Sequence, residues 1–276
     1  MSSQSGSVPR LVGLHVYPLK SAGGIALDEA VVDEVGLRWD RRWMLVDDEG
    51  RFLSQRSHPQ MALLRVAFDG GALRVSSRGS APGEALMLPL ALPETDDGHT
   101  EIQVWHGRRF AADCGDAAAE WASAFIGAPC RIVRAVLPPG RGGLGPSGKV
   151  LAGFADAEPA LVLSVASLAD LNARLAEPLP MNRFRPNLVL EGLAPYGEDR
   201  LGRVRIGEVV MRGVRPCPRC ALTTVDQQTA RKGKEPLRTL ATYRRAPDGE
   251  VVFGTNAAFE QPGTLRVGAR VEAVGP

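Results

Sequence analysis

The chain is cut into short apolar runs of near-alternating polarity, each closed by turn residues, and this pattern restricts it to a strand-built fold. Residues 11–17 alternate, with Val12, Leu14 and Val16 on one face and Leu11, His15 and Tyr17 on the other. Runs at 43–46, 61–68, 73–75, 101–105 and 131–136 follow, broken by Asp47-Asp48-Glu49-Gly50 and Asp96-Asp97-Gly98. Many short strands joined by tight turns predict mixed or antiparallel sheets arranged as a barrel or sandwich. Two helices interrupt them. One is predicted over about 116–125, with Trp121 and Phe125 on one face; the other is capped by Ser167, carries Leu168, Leu171 and Leu175, and stops before Pro178. The expected class is α+β and β-rich. A Gly- and Pro-rich stretch at 137–149 sets a soft boundary between a β-rich region, 10–136, and an α+β region, 137–276, with elements shared between them.

Composition removes several functions. A net charge of +2 over 276 residues gives no basis for binding a nucleic acid polymer, so any basic site must be local. No apolar run reaches membrane-spanning length, and the small, polar first ten residues read as a disordered leader rather than a secretory signal. Four cysteines in a chain this long do not make a disulfide scaffold, so a reducing, cytoplasmic compartment is expected.

Two glycine motifs fail on context. Gly140-Arg141-Gly142-Gly143-Leu144-Gly145 matches a dinucleotide fingerprint in letters, but prolines on both sides deny it the required strand and helix. The overlapping run ending Gly148-Lys149 lacks the hydroxyl residue that a phosphate loop places next. Flavin and nicotinamide cofactors are therefore not expected in this chain, nor is an iron–sulfur cluster, which would take all four cysteines.

Cys217-Pro218-Arg219-Cys220 concentrates the soft-ligand chemistry, and Leu222 and Thr224 alternate with Thr223 and Val225 after it, as in a half-buried strand. Structural zinc would need a second pair, and Cys114 and Cys130 are too far apart in sequence to form one. A dithiol of thioredoxin type needs a helix N-terminus, and prolines precede a strand pattern here. One thiolate serving a soft metal is the third reading and an inert thiol the default for either cysteine; spacing alone does not choose among them. Basic residues collect at three strand ends: Lys20 and Ser21 after Tyr17-Pro18-Leu19, the guanidinium groups of Asp40-Arg41-Arg42-Trp43, and the two arginines and two asparagines of Asn182-Arg183-Phe184-Arg185-Pro186-Asn187. Guanidinium forks, an ammonium and a hydroxyl at such ends suit a phosphate.

Taken in order, these segments resemble the MOSC family, in particular its two-part, amidoxime-reducing members with an N-terminal MOSC-associated β-barrel. The resemblance runs from Leu11 to Val274 and includes Asp113-Cys114-Gly115, Ser167-Leu168-Ala169-Asp170-Leu171-Asn172 and Pro262-Gly263-Thr264-Leu265-Arg266-Val267-Gly268. It implies a molybdenum cofactor, a pterin dithiolene with a terminal phosphate, whose metal takes the thiolate of Cys220. It also implies that Lys20, Ser21, Arg41, Arg185 and Asn187 hold the phosphate and pterin. In Asp156-Ala157-Glu158-Pro159 only Asp156 keeps the family pattern, and it is the expected proton donor; Ala157 and Glu158 replace hydroxyl residues.

The implied activity is reduction of N-hydroxylated compounds such as hydroxylamines, amidoximes and N-hydroxylated bases, a detoxifying N-reduction with electrons from a separate reductase or ferredoxin-like protein. The rival implied by the same resemblance is a sulfur-carrier or cofactor-handling domain with a persulfide on Cys220.

Overall fold

The computed structural model describes residues 8–78, 84–91, 99–104, 107–136, 143–144, 150–151 and 153–275. Most of the Gly-rich stretch at 137–149 lies outside them. Eight strands form the principal sheet, in the order Ile25–Ala26, Arg10–Val16, Leu188–Glu191, Ala160–Ser164, Val252–Gln261, Val209–Pro218, Arg203–Ile206, Val271–Ala273. All neighbours are antiparallel except Ala160–Ser164 and Leu188–Glu191, which run parallel. The sheet curls until its ends meet. Leu11 N donates to Ala269 O at 2.9 Å, Gly268 N to Leu11 O at 2.7 Å and Val271 N to Pro9 O at 2.8 Å. Closure removes the exposed edge that an open sheet would carry. Inside lie Leu11, Leu14, Val16, Val162, Leu188, Leu190 and Met211. Apart from Arg10–Val16 and Ile25–Ala26, every strand of this barrel comes from residue 160 onward.

A four-stranded antiparallel sheet, Trp43–Asp47, Cys130–Ala135, Gly107–Asp113 and His99–Val104, forms a second layer. Helix Asp116–Ile126 sets Ala118, Ala122 and Ile126 against Trp43, Leu45 and Ile132, and Leu64, Leu73, Val75 and Leu88 of a three-stranded meander join the same core. Gly127 ends that helix in the left-handed conformation, its N–H bonding Ser123 O at 2.8 Å. Trp121 and Phe125, partly buried, stack with centroids 6.0 Å apart and pack against the same core.

Three local expectations are corrected. The ladder register shifts between Leu11 and Gly13, so Leu11 is buried with Leu14 and Val16 while Val12 is not. The second helix is Val165–Asn172, and its cap is Ser164, whose hydroxyl accepts from Ser167 N at 3.0 Å; Ser167 instead sits buried in the first turn, bonded to Glu198. The helix ends well before Pro178 because the Asn172 amide binds Leu179 N and O and draws the chain back. Finally, Ala221–Thr224 is a 3-10 turn, not a strand. Thr223 and Thr224 hydroxyls donate to the carbonyls of Cys220 and Ala221, three residues back, and that local bonding competes successfully with extension.

Candidate active site

The barrel's first strand leads into Tyr17-Pro18-Leu19-Lys20-Ser21, which runs beside 41–43. Arg41 N donates to Tyr17 O, Trp43 N to Pro18 O, and Lys20 N to Trp43 O at 2.8 Å. The pairing brings two of the basic strand ends to one corner. The third arrives through Leu188–Glu191, which pairs with Arg10–Val16 and holds Phe184-Arg185-Pro186-Asn187 at the same end of the barrel. Strand Val209–Pro218 ends there too, and it ends because of its prolines. Pro216 and Pro218 have no N–H to give the ladder, and the register slips between them. Cys217 and Cys220 therefore leave the sheet at the cavity wall.

The result is one cavity of about 400 Å³ lined by Lys20, Ser21, Arg41, Asp156, Arg185, Asn187 and Cys220, every residue singled out from the sequence. Arg56, Arg215, Arg219, Cys217, Glu158 and Asn256 complete most of its wall. Six cationic side chains face three carboxylates, Asp156, Glu158 and Glu250, so the cavity favours an anion.

Backbone strain concentrates here. Of six non-glycine residues with positive φ among the described residues, Ser21 (68°), Arg41 (50°) and Arg185 (56°) are three, and all line the cavity. Left-handed conformations cost a side-chain-bearing residue about 1 kcal/mol or more and persist where the surroundings dictate them. Gly153 is part of that constraint. At φ +66°, it passes so close to Arg41 that an added Cβ would lie 2.3 Å from Arg41 O, the atom that accepts from Phe154 N. Gly153→Ala is expected to cost at least about 2 kcal/mol in chemical denaturation and to dislodge Arg41.

The cations are held under stress. Tyr17 lies between Arg185 and Arg41, whose guanidinium carbons are 4.2 and 5.0 Å from its ring centroid, and its hydroxyl donates to Pro186 O. Burial pushes its phenol up to about 12. Burial likewise brings the Arg185 guanidinium down to about 10; Tyr17 beside it partly compensates, the like charge of Arg41 adds to the lowering, and the guanidinium donates to Ala22 O. Lys20 is lowered by the same desolvation, partly offset by its ion pair with half-exposed Asp156; its ammonium also donates to Phe154 O at 2.7 Å. Arg41 is different: burial opposes its charge, but the adjoining Asp40 carboxylate more than compensates and raises it.

Asn187 works indirectly. Its side-chain oxygen accepts from Leu161 N at 3.2 Å and Arg41 Nη1 at 3.1 Å, and its nitrogen donates to His15 O at 3.1 Å. It thus joins the parallel strands and aims Arg41.

The two cysteines have unequal settings. Cys220 is exposed to the cavity, with Arg56 Nη1 3.6 Å from its sulfur. Cys217 is half-buried, and its sulfur accepts from Arg219 Nη1 at 3.2 Å. Cys114 and Cys130 lie elsewhere, packed in the core around helix Asp116–Ile126, and no cluster of three or more metal-ligating residues occurs among the described residues. Arg56 is the principal residue that sequence reasoning missed, since nothing in Ser54-Gln55-Arg56-Ser57 marks it. Gln55 was missed too. Fully buried, it donates to Ser21 O at 2.7 Å and exchanges amide hydrogen bonds with Gln227, tying the Ser21 turn to the segment after Cys220.

A phosphorylated group bearing a soft metal fits these walls. The buried Nε of Arg219 and Nδ2 of Asn256 find no partner among the described residues, the Arg185 charge is poorly solvated, and a thiol faces the cavity. Such a group would be held by Lys20, Arg41 and Arg185 at its phosphate and by Cys220 at its metal.

Comparison with known proteins agrees with this architecture. The family model for the MOSC N-terminal beta barrel domain matches residues 8–129, and that for the MOSC domain matches residues 151–272. The chain is 36% identical to mitochondrial amidoxime-reducing component 1 of Mus musculus, covering 95% of this chain and 81% of that protein. It is 30% identical to the molybdenum cofactor sulfurase of Danio rerio, over 93% of this chain but 33% of the relative. Among solved structures, the YUAD protein from Bacillus subtilis aligns over 96% of this chain and 95% of its own, at 11% identity and a TM-score of 0.43.

Proposed function

The chain belongs to the MOSC family, in the branch that carries the MOSC N-terminal beta barrel, and from that premise we propose that it is a molybdenum-cofactor-dependent oxidoreductase reducing N-hydroxylated compounds to amines. The single observation that carries the reading is the convergence, on one anion-favouring cavity, of a free thiol and of cations from three separate strand ends. In this reading the region 10–136 supplies Lys20, Ser21, Arg41 and Arg56, and the region 137–276 supplies Arg185, Asn187 and Cys220.

When bound, the cofactor supplies two-electron chemistry that takes up the oxygen of an N–OH group. The protein's part is electrostatic and positional. Cys220 would hold the metal through one thiolate, and the Arg56 guanidinium, 3.6 Å away, would stabilise negative charge on that sulfur. Lys20, Arg41 and Arg185 would neutralise the phosphate, and Ser21 would add a hydroxyl at the turn. A phosphate on the Lys20 ammonium would displace Asp156, freeing its half-exposed carboxyl to take a proton from solvent at Oδ1 and deliver it to the substrate nitrogen that departs as the amine. A separate protein delivers the electrons.

The test is benzamidoxime reduction by protein purified from a host that makes the cofactor, driven by dithionite-reduced viologen. Benzamidine formation is expected. A protein loaded with molybdenum that gives none would favour a cofactor-handling role, for which the similarity to the cofactor sulfurase is the supporting observation.

A further inference from the structure

The 3-10 turn Ala221–Thr224 is a thin wall. On one side, Leu222 and Thr223 face the cavity; on the other, Thr224 faces a shallow cleft of about 330 Å³ whose rim is Arg231, Lys232 and Lys234. All three rim cations are exposed. The two carboxylates in the cleft are already paired, Asp226 with Arg183 at 2.8 Å and Glu235 with Arg238 at 2.6 Å. No carboxylate among the described residues forms a salt bridge with Arg231, Lys232 or Lys234. A protein whose net charge is +2 thus gathers, within four consecutive residues, three exposed cations that have no salt-bridge partner among the described residues.

The patch also communicates with the cavity. Lys232 Nζ donates to Arg56 O at 2.8 Å, and Arg56 Nη1 reaches the Cys220 sulfur at 3.6 Å. Two polar contacts separate a surface ammonium from that thiol. Val225 and Lys232 are joined by a backbone bridge, and Asp226 N donates to Arg231 O, so the basic loop is fixed to the strand-end segment that carries Cys220.

We propose that the 231–234 loop and its cleft are the docking surface for an acidic one-electron carrier protein. Charge complementarity selects the partner class, and the short path to Cys220 accounts for the placement. The inference rests on the reductase reading, in which each turnover needs R–NH–OH + 2 e⁻ + 2 H⁺ → R–NH₂ + H₂O. Two reduced carriers would dock in succession, each oxidised by one electron, while the protons come from solvent.

The test uses the cofactor-loaded protein and its Arg231→Glu/Lys234→Glu variant, which leaves Lys232 and the cavity untouched. Benzamidoxime reduction is driven by reduced viologen, by a plant-type ferredoxin and by a flavodoxin, the two proteins being acidic one-electron carriers. Viologen-driven rates should agree within about twofold, while carrier-driven kcat/KM should fall about tenfold or more at low ionic strength. The gap should narrow as salt rises from about 20 to 300 mM, because screening removes the attraction that the variant reverses. Equal carrier-driven rates in both proteins, or neither carrier supporting turnover where viologen does, would overturn the proposal. Failure with viologen itself would instead strike the reductase reading.

Discussion

Cys220→Ala is expected to reduce viologen-driven amidoxime reduction by at least about 10³-fold, the scale of loss when a group acting directly at the reacting centre is removed. Stability should stay within about 0.5 kcal/mol of the parent, because the side chain is exposed and makes no core contact. The turn that follows is fixed by the Cys220 carbonyl, which accepts from Thr223 N and Oγ1, and both bonds survive the substitution. Cys217→Ala removes the acceptor of one Arg219 hydrogen bond and a long thiol contact to Pro218 O at 3.6 Å, while Arg219 keeps its bond to Phe184 O at 2.6 Å. A few-fold loss is expected there. Steady-state kinetics beside thermal denaturation separate the two variants.

Arg185→Leu should move stability and cofactor retention in opposite directions. At about 1.4 kcal/mol per tenfold change in proton affinity, a guanidinium brought by burial from its ordinary value down to about 10 costs the cofactor-free fold roughly 3 kcal/mol at neutral pH. The sign follows from proton linkage. The unfolded chain holds the Arg185 proton more tightly, so the penalty is complete below about pH 10 and relaxes as pH rises above that toward the ordinary guanidinium range. Leucine removes that penalty but also the Ala22 hydrogen bond and the Tyr17 stacking, so the cofactor-free variant should be no less stable than the parent, and more stable by up to about 2 kcal/mol. Retention of the phosphorylated cofactor should instead fall about 100-fold, since a buried phosphate would lose a desolvated partner. Urea denaturation of cofactor-free protein and cofactor release during dialysis read the two effects. A large stability loss with unchanged retention would show Arg185 to be purely structural.

Much of the strand framework was legible, because alternation at 11–17 and apolar runs at 43–46 and 131–136 reflect burial on one or both faces of a sheet. Register was not. The shift between Leu11 and Gly13 is set by pairing with Leu188–Glu191, far along the chain, and nothing local announces it. The same holds for barrel closure through Leu11 and Gly268, bonds that exist only once the sheet has curled. At Thr223 and Thr224 the pattern misled, since hydroxyls able to bond three residues back can hold a turn where alternation suggests a strand.

The cavity shows the same division. Basic strand ends and a cysteine pair carry chemistry in their letters, but the choice of Lys20, Arg41, Arg185 and Cys220 among them came from the family resemblance. The left-handed backbones at Ser21, Arg41 and Arg185 could not be read there, as positive φ at non-glycine residues is imposed by the folded surroundings. Asn187 was placed among the cofactor's own contacts, yet most of its polar capacity is engaged by Leu161, His15 and Arg41. Arg56 reaches Cys220 across 164 residues of chain, a distance over which one sequence offers no pairing signal.

The most direct test is the metal itself, measured on protein from a host that synthesises the molybdenum cofactor. Stoichiometric molybdenum is predicted in the parent and in Cys217→Ala, with almost none in a folded Cys220→Ala. Zinc in its place, or molybdenum retained by Cys220→Ala and lost from Cys217→Ala, would contradict the assignment of Cys220 as the metal's protein ligand.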